Sequence, residues 1–230
     1  MTRVDSTTFH NGAGRQHFGR NYGPARLEQN PCFQELMAIN PKGKVIELAC
    51  GDGHVMKGLL KAGFDVHGFD ASEIMLGLAR FDNDVTPERL NLLDIYETPL
   101  PFPDNTVDVA FCSKTLSYLQ DPLPAIRELL RVVKPSGNVL IDYFHEQYAD
   151  PARERIEQPV YGYTATGKEL SIPNYAFQTQ RLLAQLSKDF DIARVDIPFN
   201  THSNAPVNDA TSPQIEALPN GYLLLKLQKG

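Results

Sequence analysis

The stretch "KVIELACGDGHV", residues 44–55, decides how the chain is read. Val45, Ile46 and Leu48 surround the acidic Glu47, and the chain then drops into small residues and a polar turn, Ala49 to Gly53. A helical pattern opens at His54. Apolar strand, glycine-bearing turn and helix in that order is the arrangement that brings bare backbone against a ligand at a helix N-terminus.

Working outward, short apolar runs alternate with helix-sized segments. The strand candidates are Val45–Leu48, Val66–Phe69, Leu90–Leu93, Val107–Cys112, Val139–Phe144, Val195–Phe199 and Tyr222–Leu227. The first five are almost continuously apolar, as strands covered on both faces of a parallel sheet should be. Helical segments such as His54–Ala62 and Ser72–Arg80 lie between the early ones. The alternation predicts an α/β, doubly wound fold. In "QDPLPAIRELLRVVKPSG", Asp121 is placed to cap a helix with Pro122 at its first position. Leu123, Ile126, Leu130 and Val133 share one face, and Pro135 with Gly137 is the expected stop.

The chain of 230 residues is long enough for one substantial core, and residues 1–230 read as a single domain. Residues 145–174 interrupt the alternation. There, "PVYGYTATGKELSIP" predicts a hairpin turning at Thr166-Gly167. Asn200–Asn220, rich in Asn, Pro, Ser and Thr, reads as a long loop. The polar "MTRVDSTTFHNGAGRQ" at the N-terminus reads as disordered until something docks on it.

The net charge of −6 argues against a nucleic-acid partner, because phosphate binding calls for clustered Lys and Arg. The three cysteines are widely spaced and form no CxxC pair, and the histidines are scattered. No metal site or disulfide framework is indicated, and a cytoplasmic setting fits. No stretch has the length or apolarity to span a membrane.

Two phosphate-binding readings of the loop fail on residues. A P-loop needs GxxxxGK[ST], which the residues after Gly53 do not supply. The dinucleotide fingerprint GxGxxG needs a third glycine where Met56 stands, which counts against a nicotinamide-dependent oxidoreductase. Glu47 and Asp52 would also repel a pyrophosphate. They suit a ligand with positive charge and no phosphate, and S-adenosylmethionine carries a sulfonium and an ammonium.

"VIELACGDG", then "VHGFDASEIMLGLAR", then "LLDIYETPLPFPDNTVDVAFCSKTLSYLQDPLPAIRELLRVVKPSGNVLIDYF" resembles, in order and spacing, the class I S-adenosylmethionine-dependent methyltransferases. The resemblance spans about Val45 to Phe144. It implies a Rossmann-like doubly wound sheet of seven strands, mostly parallel, with the last strand antiparallel at one edge. It implies that Glu47 orders the methionine end of the cofactor and that Gly51 and Gly53 admit it to the backbone. Ala49 stands where the family usually has glycine. Asp70 would bond the ribose hydroxyls, with Ala71 and Met75 beside the adenine, and Asp94 with the Ile95 backbone at the adenine edge. Cys112 and Ser113 would pass beneath the methionine portion.

Residues 1–40 would form a lid, with Tyr22 and Arg26 facing the cofactor. His145, at the carboxyl end of the fifth strand, is the candidate general base, and the competing reading is a solvent-facing loop histidine. Lys114 and Tyr118 lie where an acceptor should approach. Tyr148, Tyr161 and Tyr163 either wall an acceptor pocket or pack the hairpin onto the domain. The expected partner is a small-molecule methyl acceptor. A non-catalytic S-adenosylmethionine-binding module and a tRNA-modifying methyltransferase are the rival readings.

Overall fold

The computed structural model describes residues 2–3, 5–18, 27–28, 30–145, 160–173, 175–177, 179–196 and 222–230. The central sheet begins with β2 (Lys44–Leu48), β3 (Asp65–Asp70), β4 (Leu90–Leu92), β5 (Val107–Cys112) and β6 (Val133–His145), which run parallel. β10 (Ile192–Asp196) and β11 (Tyr222–Lys229) complete the order β10–β11–β6–β5–β2–β3–β4. β11 is antiparallel to both its neighbours, as the sequence implied, but it lies one strand in from the edge, with β10 outside it.

The strands read as apolar runs because both faces are covered. Val45, Ile46, Val66, Val107, Phe111 and Ile141 are buried between helical layers. On one face lie α2 (Pro31–Ile39), α3 (His54–Lys61) and α4 (Glu73–Phe81). Leu36, Met56, Leu59, Leu76 and Ala79 from these pack with Val45, Val66 and Phe111. On the other, α5 (Leu123–Val132) and α6 (Thr179–Leu186) bring Ile126, Leu129, Leu182 and Leu186 against Ile46, Ala110, Val139 and Ile141. The chain builds outward from β2 toward β4, then returns to add β5 and β6 on the other side. The switch point lies between β2 and β5, where open α/β sheets bind ligands at the carboxyl ends of their strands.

Several expectations are corrected here. The segment Lys134–Gly137 does not end the α5 helix. Val133 is already extended and starts β6, and Ser136 turns through a left-handed conformation (φ 65°). The register runs from Val107 opposite Val133 to Val109 opposite Asn138, so the extra residues bulge out of the ladder, with Lys134 Nζ bonded to Asp108 at 2.9 Å. Pro135 is accommodated because a bulged residue owes the ladder no N–H.

The polar N-terminal tract is also ordered. β1 (Thr2–Arg3) is followed by α1 (Ser6–Phe18). Phe9 and Ala13 are buried against Leu170 and Ile172 of β8 (Glu169–Ile172), beside Tyr118. Gly14 lets α1 approach α4, because a Cβ there would lie 2.7 Å from Met75 Sδ. The hairpin forms as predicted, β7 (Val160–Tyr163) pairing antiparallel with β8 around Gly167, and β1 adds to β8 in parallel as a second, three-stranded sheet. β9 (Ala176–Phe177) joins the end of β6. The predicted loop 200–220 lies outside the described residues. Among the described residues no helix is long and apolar enough to cross a membrane.

Candidate functional site

The turn after β2 is unusually strained. Ala49, Gly51 and Gly53 all take left-handed backbone conformations, at φ 57°, 56° and 71°. Cys50 N–H donates to Phe69 O and Gly53 N–H to Cys50 O, each at 3.0 Å, which ties the turn to the end of β3. Asp70 reinforces it, accepting from Gly51 N–H and from Ser72 N–H, both at 2.8 Å. Ser72 caps α4, taking Met75 N–H at 3.2 Å. Ala49 thus bears the ordinary cost of a left-handed alanine, about 1–2 kcal/mol. Ala49→Gly is expected to leave stability unchanged or raise it by up to about 1 kcal/mol, since glycine's added unfolded-state entropy offsets part of the relief. Urea unfolding measures this, and a destabilised variant would count against the strain.

One cavity of about 1410 Å³ opens at the switch point. Of the residues singled out from sequence, Glu47, Ala49, Gly51, Asp70, Ala71, Met75, Asp94, Ile95, Cys112, Ser113, Lys114 and Tyr118 all line it. Gly53 does not. A Cβ there would meet Ala79 at 2.9 Å and Val85 at 3.0 Å, so this glycine serves the packing of the turn on α4. Tyr163 is half exposed on the hairpin, its hydroxyl donating to Glu169 at 3.2 Å, and is not part of the cavity wall. His145 ends β6 and Tyr161 lies in β7, but their side chains fall outside the described residues, as do Tyr22, Arg26 and Tyr148.

The electrostatics are dominated by carboxylates. Glu47 is almost fully buried, and its Oε2 has no hydrogen-bond partner among the described residues. Burial, then the neighbouring Asp52, Asp70 and Asp142, pushes its carboxyl well above the usual range. Burial raises Asp70 to about 6 despite its two backbone donors. Asp52 is likewise raised by burial, against an opposing bond from His54 N–H. Such a concentration of buried acid is costly and suits a positively charged ligand.

Asp142 completes the cluster, and sequence reasoning missed it. It interrupts the apolar "VLIDYF" of β6 just as Glu47 interrupts β2. Burial lifts its carboxyl to about 6, opposed by a bond from the Lys114 backbone N–H, the Lys114 charge and Ser113 Oγ at 3.2 Å. Ser113 in turn accepts from Asn30 Nδ2 at 3.1 Å, while Asn30 Oδ1 caps α2 through Phe33 N–H at 3.0 Å. The Asn-Pro pair at residues 30–31 was the available signal for that cap. Cys112 lines the cavity, and burial raises its thiol well above the usual value, so it stays neutral.

Two further parts of the wall carried no signal in the sequence. From α1, His10 lines the cavity with its ring edge-on to Tyr118, centroids 5.7 Å apart. Its Nδ1 lies 2.7 Å from Ser6 O. A carbonyl only accepts, so Nδ1 carries the proton and Nε2 is the basic nitrogen. Burial holds the imidazole below its usual pKa, against a smaller opposing effect from that bond. From β9 and α6 come Tyr175, Phe177, Arg181, Leu182 and Gln185.

Comparison with known proteins agrees with this geometry. Residues 46–141 match the family described as a methyltransferase domain. An uncharacterized methyltransferase of Schizosaccharomyces pombe is 34% identical over 115 residues, 45% of this chain and 41% of the relative. A ubiquinone biosynthesis O-methyltransferase of Aliivibrio fischeri is 33% identical over 115 residues, 48% of this chain and 49% of the relative. The matched region thus spans under half the length of these relatives. Among solved structures, the PH0226 protein of Pyrococcus horikoshii superposes with a TM-score of 0.61 at 17% identity, covering 91% of this chain and 93% of that one. The magnesium protoporphyrin IX methyltransferase of Synechocystis, solved with bound S-adenosylmethionine, gives 0.60 at 14% identity, covering 97% and 95%. The strained turn, the acid-lined cavity at the switch point and the matched sequence belong together: the turn and most of the acids lie within residues 46–141, which match a methyltransferase domain.

Proposed function

We propose that this chain transfers the methyl group of S-adenosylmethionine to a small-molecule acceptor. The observation that carries the reading is the buried Glu47, whose Oε2 has no partner among the described residues, set among three further carboxylates. These residues fit a doubly cationic, phosphate-free cofactor. Glu47 would hold the methionine end, Asp70 the ribose, and Asp94 with the Ile95 backbone the adenine edge. Ala71 and Met75 would lie beside the adenine, and Cys112 and Ser113 beneath the methionine portion. When bound, the group supplies an electrophilic methyl on sulfur with a neutral thioether as leaving group.

What remains for the protein is orientation, exclusion of water and, for an acceptor that must lose a proton, a base. α1 packs with β8 beside Tyr118 and against Met75 of α4, and in this reading would supply the cover. His10 is the proton acceptor of this reading, through Nε2, because its tautomer is fixed and burial keeps it neutral near pH 7. A small acceptor is favoured over a polynucleotide by the acidic cavity wall and the net charge of −6.

Calorimetric titration with S-adenosylhomocysteine, and separately with NAD, tests the reading. Micromolar binding of the first and none of the second is expected, and binding of NAD alone would overturn it. With an acceptor in hand, His10→Gln is expected to lower kcat by about 10²-fold or more while leaving S-adenosylhomocysteine affinity unchanged. An undiminished kcat would remove His10 from the mechanism.

A further inference from the structure

At about 1410 Å³ the cavity exceeds the roughly 300–1,000 Å³ of an ordinary small-molecule site, so it has room for a second ligand beside the cofactor. Its wall is chemically divided. The carboxylates of Glu47, Asp52 and Asp70 gather at the ends of β2 and β3, while Tyr118 and Leu119 after β5, Tyr175 and Phe177 at β9 and Leu182 of α6 contribute aromatic and aliphatic side chains.

That second wall is fixed in place. Tyr175 N–H donates to Ser117 O at 2.6 Å, which sets it beside Tyr118. The rings of Tyr175 and Phe177 lie 6.4 Å apart at 43°. The first residue of α6, Thr179, is fully buried, its hydroxyl 2.6 Å from the Tyr143 hydroxyl. Arg181, Leu182 and Gln185 follow on one side of that helix and all face the cavity.

Among the described residues, Lys114 and Arg181 are the lysine and arginine that line the cavity. The Lys114 charge acts on Asp142, so it balances the acid cluster. Arg181 lines the same cavity from α6, with its side chain exposed to solvent. A guanidinium is a planar, two-pronged donor to a carboxylate, and the rings that line the same cavity can take a flat apolar body. We propose that this compartment is the acceptor subsite and selects a planar aromatic acid, with Arg181 as the partner of its carboxylate; the inference rests on the methyl-transfer reading above.

The test uses two probes of equal ring size, benzoate and benzyl alcohol, titrated into the full chain with and without saturating S-adenosylhomocysteine. Benzoate is expected to bind at least about tenfold more tightly, the worth of a single charge-assisted contact at a solvated site. Arg181→Gln should abolish that preference, Arg181→Lys should keep part of it, and neither should change S-adenosylhomocysteine affinity. Because the side chain is exposed, the variants should fold as the parent does. Equal binding of the two probes by the parent overturns the proposal, as does a preference that survives Arg181→Gln. A loss of S-adenosylhomocysteine affinity in Arg181→Gln also overturns it, by assigning the guanidinium to the cofactor's own carboxylate. If S-adenosylhomocysteine fails to bind the parent, the methyl-transfer reading falls on its own, and the benzoate preference without it still decides the role of Arg181.

Discussion

Glu47→Gln is expected to weaken S-adenosylmethionine binding by about 10- to 100-fold without lowering the thermal stability of the free protein. The substitution preserves shape and removes one charge. A hydrogen bond to a charged group is worth about 1.5–3 kcal/mol, which sets the size of the loss. Stability should hold because the free fold already disfavours the charged carboxylate, buried as it is beside Asp52, Asp70 and Asp142. Isothermal titration gives the affinity and a melting scan the stability. A larger loss for S-adenosylmethionine than for S-adenosylhomocysteine would place Glu47 against the sulfonium. Equal losses would place it against the ammonium, and unchanged affinity for both would remove it from the site.

The stability of the free protein should fall as pH rises from about 4 to about 6, and Glu47, also pushed well above its usual range, should add to the fall. Asp70 and Asp142 stand near 6 in the fold against an ordinary value of 3.8. Across that window the folded protein keeps protons that the unfolded chain has lost, so each further rise in pH favours unfolding. At 1.36 kcal/mol per pH unit, the two carboxyls together lose about 4 kcal/mol between pH 4.5 and pH 6, and the midpoint should drop by on the order of 10 °C. A bound cation reverses the preference. Affinity for S-adenosylmethionine should therefore rise with pH through the same window, proton release should accompany binding near pH 6, and the saturated protein should melt with little pH dependence. A melting temperature that climbs with pH in the free protein would contradict the assignment of these two groups.

The sheet was legible because burial on both faces leaves a plain mark, the continuous apolar runs of β2, β3 and β5. Acids within such runs are the second plain mark, and Glu47 was read from it. Asp142 carries the same mark, but stands about ninety residues beyond the glycine turn, with no local motif beside it. The bulge at Lys134–Gly137 was misread because Pro and Gly after an amphipathic run signal a helix stop and a bulged strand start equally well. α1 was missed for a different reason. Its sequence has two glycines, little apolar content and a weak amphipathic pattern, and it is held by tertiary contacts of Phe9, Ala13 and Gly14 that no local pattern encodes. The cavity wall of Tyr175 and Phe177 starts two residues past Pro173, in a segment too short to show periodicity.

The parallel pairing of Thr2–Arg3 with Leu170–Ser171 joins the two ends of a very long chain loop. Closing such a loop early costs entropy that local contacts do not repay, so this small sheet should be the last part to assemble, after the central sheet has brought its partners near. What forms last with few buried contacts also opens first. In hydrogen exchange, the amides of β1, β7 and β8 should therefore exchange ahead of those of β2 and β5, as one unit. A ligand could then enter and leave through the same partial unfolding that reverses the final folding step, while the strained turn that holds it stays intact.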